Sequence, residues 1–124
     1  MKATPQISDN EWEVMNVIWE RAPVTAEEVI RRLREGDASW HFRTVKTYLG
    51  RLVQKKVLAF QKQGRAYLYR PLVSREECVE AASRGFLNLV FGGSLKPMLA
   101  YFVEHKKLSA KEVRELKAIL EKES

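Results

Sequence analysis

Residues 38–74 read ASWHFRTVKTYLGRLVQKKVLAFQKQGRAYLYRPLVS and contain no Asp or Glu, yet they carry eight Lys or Arg. These are Arg43, Lys46, Arg51, Lys55, Lys56, Lys62, Arg65 and Arg70. Acids are frequent elsewhere in the chain, so the gap marks a surface kept clear of groups that would repel phosphate. A solvated basic face without a partner is the plain alternative.

The hydrophobic period changes within this stretch. Val45, Tyr48, Leu49 and Leu52 fall on one stripe and predict a helix over about residues 42–55. Residues 57–62 and 66–70 are rich in β-formers and flank Gln63-Gly64-Arg65, a hairpin signal that Pro71 brings to an end.

Working outward, four helix starts carry the capping-box pattern: Ser8 with Glu11, Thr25 with Glu28, Ser74 with Glu77, and Ser109 with Glu112. Each is flanked by an apolar staple pair, Ile7/Trp12, Val24/Val29, Val73/Cys78 and Leu108/Val113. A first helix is expected over residues 9–21, with Trp12, Met15, Ile18 and Trp19 on one face and Pro23 after it. A second, over residues 26–35, buries Val29, Ile30 and Leu33, and Gly36 is read as its stop. Three more helices are expected beyond the hairpin, over about residues 75–90, 95–104 and 110–122, with Gly92-Gly93 in the first gap.

Three helices and then a hairpin, with the third helix and the hairpin both basic, is the order of a winged helix-turn-helix. The expected fold is mainly α with a small β-hairpin wing. A DNA-binding domain would occupy residues 1–72, followed by a three-helix dimerisation domain over residues 73–124. Arg43, Lys46, Thr47 and Gly50 would project from the third helix, with Thr44 and Arg51 on the flanks. Lys62 and Arg65 flank the hairpin tip. Gly50 lowers helix stability by about 1 kcal/mol against Ala, which makes sense if another surface must approach closely there; a neutral surface position is the alternative.

Charge supports the division. Residues 1–72 hold 13 basic and 8 acidic side chains, and residues 73–124 hold 9 and 8. The last fifty residues are loaded with apolar side chains, among them Phe86, Leu87, Leu99, Phe102, Leu116 and Leu120. Three short helices bury such a load poorly alone, which points to a second copy of the chain in a two-fold homodimer. Folding back on the first helix is the other solution.

Other classes find little support. One cysteine, Cys78, excludes an internal disulfide and a cysteine-cluster metal site. It is read as a small buried apolar group. His41 reads as a polar helix-start residue or a phosphate contact, and His105 as a cation favoured at a helix C-terminus. No catalytic or phosphate-loop motif is present, so neither an enzyme nor a cofactor is expected. No apolar run reaches the length of a membrane span, and the opening Met1-Lys2-Ala3-Thr4-Pro5 lacks an apolar signal core. A cytoplasmic protein without membrane insertion is expected.

The motifs also resemble a known family. Pro5-Gln6-Ile7-Ser8-Asp9, Glu11, Glu13-Val14-Met15 and Val17-Ile18-Trp19 look like the opening of the BlaI/MecI penicillinase repressors. Thr44-Val45, Thr47, Leu49 and Arg51-Leu52 resemble that family's recognition helix, Gly64-Arg65 with Tyr67 and Tyr69 its wing, and Phe86-Leu87-Asn88 its dimerisation region. The resemblance runs from residue 5 to about residue 121. It implies a homodimeric repressor that binds a double-stranded operator and controls β-lactamase or related resistance genes. It further implies inactivation by proteolysis in the dimerisation domain, triggered by a membrane sensor. The family's scissile Asn-Phe pair falls at Tyr101-Phe102, where Phe102 matches and Tyr101 does not. The cysteine cluster of related copper-responsive repressors is missing. A winged-helix regulator answering another signal, or a protein-interaction module, is the alternative.

Overall fold

The computed structural model describes residues 4–123, so Met1-Lys2-Ala3 of the opening segment lie outside the described residues. The element order is α1 (Asp9–Arg21), α2 (Ala26–Gly36), α3 (Phe42–Gln54), β1 (Leu58–Gln63), β2 (Ala66–Pro71), α4 (Arg75–Phe91), α5 (Leu95–Glu104) and α6 (Ala110–Glu123). The chain divides into two compact units, Met1–Ala82 and Ser83–Ser124.

Local chemistry starts the helices. Ser8 and Glu11 form the full reciprocal capping box of α1, and Ser109 and Glu112 form that of α6. At α2 the Thr25 hydroxyl accepts from the Glu28 N–H, and before α4 the Ser74 hydroxyl accepts from the Glu77 N–H and donates to its carboxylate. Each bond satisfies backbone donors that a helix start leaves unpaired.

The helix ends depart from expectation. Gly36 is the last residue of α2 rather than a left-handed stop; extended Asp37 caps the helix, its N–H donating to the Leu33 carbonyl. After α3 the left-handed position is filled by Lys56, with φ of 65°. The Lys56 and Val57 N–H groups donate to the Val53 and Leu52 carbonyls, the paired bonds of a Schellman ending. Lys106 repeats this after α5, with φ of 56°.

One core holds the first unit together. It comprises Val14, Met15 and Ile18 of α1, Val24, Val29, Ile30 and Leu33 around α2, Val45, Leu49 and Leu52 of α3, then Val57, Leu58 and Tyr69. The buried stripe of α1 is Glu11, Val14, Met15 and Ile18. The expected tryptophans are only half-buried, their rings 5.5 Å apart beside that stripe. A period of 3.6 residues passes through 11, 14, 15 and 18, and the buried Glu11 disguised it.

β1 and β2 pair antiparallel from Leu58↔Pro71 to Gln63↔Ala66. Pro71 therefore pairs as the last residue of the strand. Gly64 and Arg65 form the two-residue turn, and only Gly64 has positive φ, at 63°, as a II′ hairpin requires. Val24 adds a bridge, exchanging backbone hydrogen bonds of 3.1 and 2.7 Å with Tyr69. This locks the base of the hairpin onto the helical core.

The first unit extends ten residues past the expected division at residues 72 and 73. Trp19 Nε1 donates to the Val73 carbonyl at 3.0 Å, Arg75 Nε donates to Asn16 Oδ1 at 3.4 Å, and Cys78 is buried. The start of α4 is thus part of the first unit's packing. In the second unit none of the described side chains is buried.

Candidate nucleic-acid interface

The core stripe of α3 decides what its other side presents. With Val45, Leu49 and Leu52 buried, Arg43, Thr44, Lys46, Thr47, Gly50 and Arg51 are all exposed. Lys46 and Arg51 are each steadied by a ring one turn back. Lys46 Nζ lies 5.8 Å from the Phe42 ring centre, and the Arg51 guanidinium lies 5.7 Å from that of Tyr48. The Thr47 hydroxyl donates to the Arg43 carbonyl at 3.0 Å, leaving its oxygen free to accept.

The hairpin carries its own exposed cations. Lys62 on β1 and Arg65 in the turn are exposed. Arg65, Ala66, Tyr67 and Tyr69 line one cleft of about 270 Å³ together with Lys46 and Phe42 of α3 and Thr25, Ala26 and Glu27 at the start of α2. Lys46 and Arg65, nineteen residues apart in sequence, thereby share one concave surface. Glu27 also reaches it. The acid-free stretch of sequence is therefore not an acid-free surface, because α2 packs beside it.

Lys55 and Lys56 are placed otherwise. Lys55 Nζ lies 2.6 Å from Glu11 Oε1 and also donates to the Gln6 carbonyl at 3.0 Å, so it is engaged within the chain. Burial opposes ionisation of Glu11, but Lys55 and the Ser8 N–H outweigh it and hold the carboxyl below its ordinary value. Lys56 occupies the left-handed turn after α3. His41 is the exposed N-cap residue of α3 and makes no side-chain capping bond.

The second unit presents the apolar candidates. Phe86 and Leu120 are exposed, while Leu87, Leu99, Phe102 and Leu116 are half-buried. Leu95, Leu99, Ala100, Val103 and Leu120 line an apolar groove of about 580 Å³ between α5 and α6. The Tyr101–Phe102 bond lies inside α5, and the exposed Tyr101 ring stacks on His105 with centres 4.1 Å apart. His105 Nδ1 donates to the Tyr101 carbonyl at 2.9 Å.

Among the described residues no three His, Cys, Asp or Glu converge in a group that could hold a metal ion. Cys78 is buried, and burial followed by the Glu77 charge pushes its thiol up, away from the reactive thiolate. Among the described residues no single helix is long and apolar enough to cross a membrane.

A core of three helices, an outward basic third helix and a basic hairpin anchored beside it define a winged helix-turn-helix protein. Comparison with known proteins narrows this. Residues 7–122 match the model of the penicillinase repressor family. The chain is 40% identical over 121 residues to the penicillinase repressor of Bacillus licheniformis, covering 98% of this chain and 94% of that protein. It is 33% identical over 119 residues to the methicillin resistance regulatory protein MecI of Staphylococcus aureus strain N315, covering 96% of each. Among solved structures, the DNA-binding domain of the repressor BlaI matches with a TM-score of 0.55 and 40% identity, covering 62% of this chain and 93% of that one. Monomeric Bacillus licheniformis BlaI bound to the blaP half-operator matches with a TM-score of 0.52 and 39% identity over the same shares. The chain belongs to the penicillinase repressor family, and with it to the DNA-binding repressors.

Proposed function

We propose that this chain binds a two-fold operator as a homodimer and represses genes of the β-lactamase or penicillin-resistance class. The observation that carries the DNA-binding part is the shared exposure of Arg43, Thr44, Lys46, Thr47 and Arg51 on α3 with Lys62 and Arg65 on the hairpin. In this reading α3 enters the major groove, where Arg43, Thr44, Lys46 and Thr47 meet base edges and adjacent phosphates, and the wing follows the backbone. Cytoplasmic DNA is the partner, and no cofactor is needed.

Exposed apolar side chains from Phe86 to Leu120 support the homodimer, since a second copy would cover what no described residue of the unit buries. Dimerisation brings two reading heads to one operator, and the second half-site is then met at high effective concentration. Induction follows from the same arrangement. A sensor-triggered cut at Tyr101-Phe102 would split α5, expose its apolar face and lower dimer affinity, and with it operator occupancy. Tyr101 in place of the asparagine of the family's scissile pair favours a second reading, in which a different signal acts on the same dimer.

Titration of operator DNA against salt, with footprinting, tests the proposal. A DNA-reading dimer shows a steep fall of log affinity with log salt and protects two half-sites. A protein-interaction module shows neither.

A further inference from the structure

Gly50 lies on the exposed side of α3, three residues after Thr47, four after Lys46 and seven after Arg43. These spacings put all four on one stripe. A glycine inside an exposed helix lowers stability by about 1 kcal/mol against alanine, so it calls for a reason. The chain itself supplies none. A Cβ at Gly50 would meet no atom within 4 Å beyond its chain neighbours and the adjoining backbone of α3, and its φ is not in the left-handed region. Gly36 and Gly85 have equally open surroundings, so open space alone does not single out Gly50. Its place among Arg43, Lys46 and Thr47 does.

A helix with its side chains is about 10–12 Å across, and the major groove is about 12 Å wide, so a seated recognition helix has almost no clearance. We infer that Gly50 is the point of closest approach between α3 and the duplex, where the missing side chain lets the groove wall pass against the helix backbone. Arg43, Lys46 and Thr47 then reach deep enough to meet base edges. Gly50 is a positioning residue that sets depth and makes no polar contact of its own. The inference rests on α3 being the DNA-facing helix.

The test uses full-length protein and a duplex selected by the wild type from random-sequence DNA. Gly50→Ala and Gly50→Leu are titrated beside the wild type, and all three are melted. Both variants are expected to unfold a few degrees higher, because alanine and leucine are better helix formers. Affinity is expected to fall about tenfold for Ala and about 100-fold for Leu, the scale on which one or two base edges go unread. Stability and affinity thus move in opposite directions, which a folding defect cannot produce. Wild-type affinity in both variants would overturn the inference, as would a loss of affinity accompanied by a lower melting temperature. Binding of the wild type in the same titration, with its salt dependence, separately tests whether the chain reads DNA at all.

Discussion

Glu11 and Lys55 are joined by an ion pair of 2.6 Å that ties the first turn of α1 to the cap of α3, across forty-four residues of sequence. Glu11 is 1% exposed and sits in the buried stripe of its helix. The same carboxylate oxygen accepts the Ser8 N–H at 3.0 Å, so one group closes the capping box and anchors the end of α3.

Lys55→Ala should therefore destabilise the first unit by about 2–3 kcal/mol, somewhat below the cost of breaking a fully buried pair because Lys55 is partly exposed and Ser8 remains bonded. The pair also makes stability depend on pH. The folded carboxyl sits below its ordinary value of 4.5, so its contribution is fully present above that value and is lost as pH falls through the folded one. Denaturant melts from pH 7 down to pH 3 should show this acid loss in the wild type and a smaller one in Glu11→Gln.

Arg43→Ala should relax discrimination at one or two base positions, by about 1–3 kcal/mol if the guanidinium makes a bidentate guanine contact. Competition among duplexes with single base changes measures it. An equal loss on every sequence would reassign Arg43 to the phosphate backbone.

Replacing Lys62 and Arg65 together by Ala should weaken all sites alike. The slope of log affinity against log salt should flatten by about 0.9 for each phosphate that a subunit no longer neutralises. Unchanged binding at both low and high salt would mean that the wing stays off the DNA.

A chain ending at Ala82 should fold, remain monomeric and bind a single half-site weakly, because the start of α4 belongs to the first unit. Ending the chain at residue 72 should be visibly less stable, since it removes the Val73 carbonyl that accepts from Trp19 and the buried Cys78. Sedimentation and thermal melts of the two chains decide this; a full-length monomer at micromolar concentration with undiminished operator affinity would count against the dimer.

Lys56→Gly should stabilise the first unit by about 0.5–1 kcal/mol, because glycine takes the left-handed position without the strain a side chain meets there. The gain is net of the extra freedom glycine has in the unfolded chain. Chemical denaturation resolves a change of this size, and a lower midpoint would show that the lysine side chain contributes more than its backbone strain costs.

By itself the sequence determined whatever is written within a few residues. Ser8, Thr25, Ser74 and Ser109 mark helix starts because a cap bonds only two or three positions ahead; all four hydroxyls accept the N–H three residues on, and the reciprocal carboxylate bond of the expected box closes at Ser8 and Ser109. Val45, Leu49 and Leu52 orient α3, and thereby expose Arg43, Lys46 and Thr47, because a helix repeats every 3.6 residues. Tertiary structure alone decided what depends on distant partners. A carboxylate breaks an apolar stripe on paper, so the burial of Glu11 could be seen only once Lys55 was beside it. The bridge from Val24 to Tyr69, the seat of Val73 on Trp19 and the reach of Glu27 into the cleft of Lys46 and Arg65 are likewise invisible in local pattern. Helix and turn preferences act along the chain, whereas ion pairs, bridges and shared clefts are settled by which elements the core brings together.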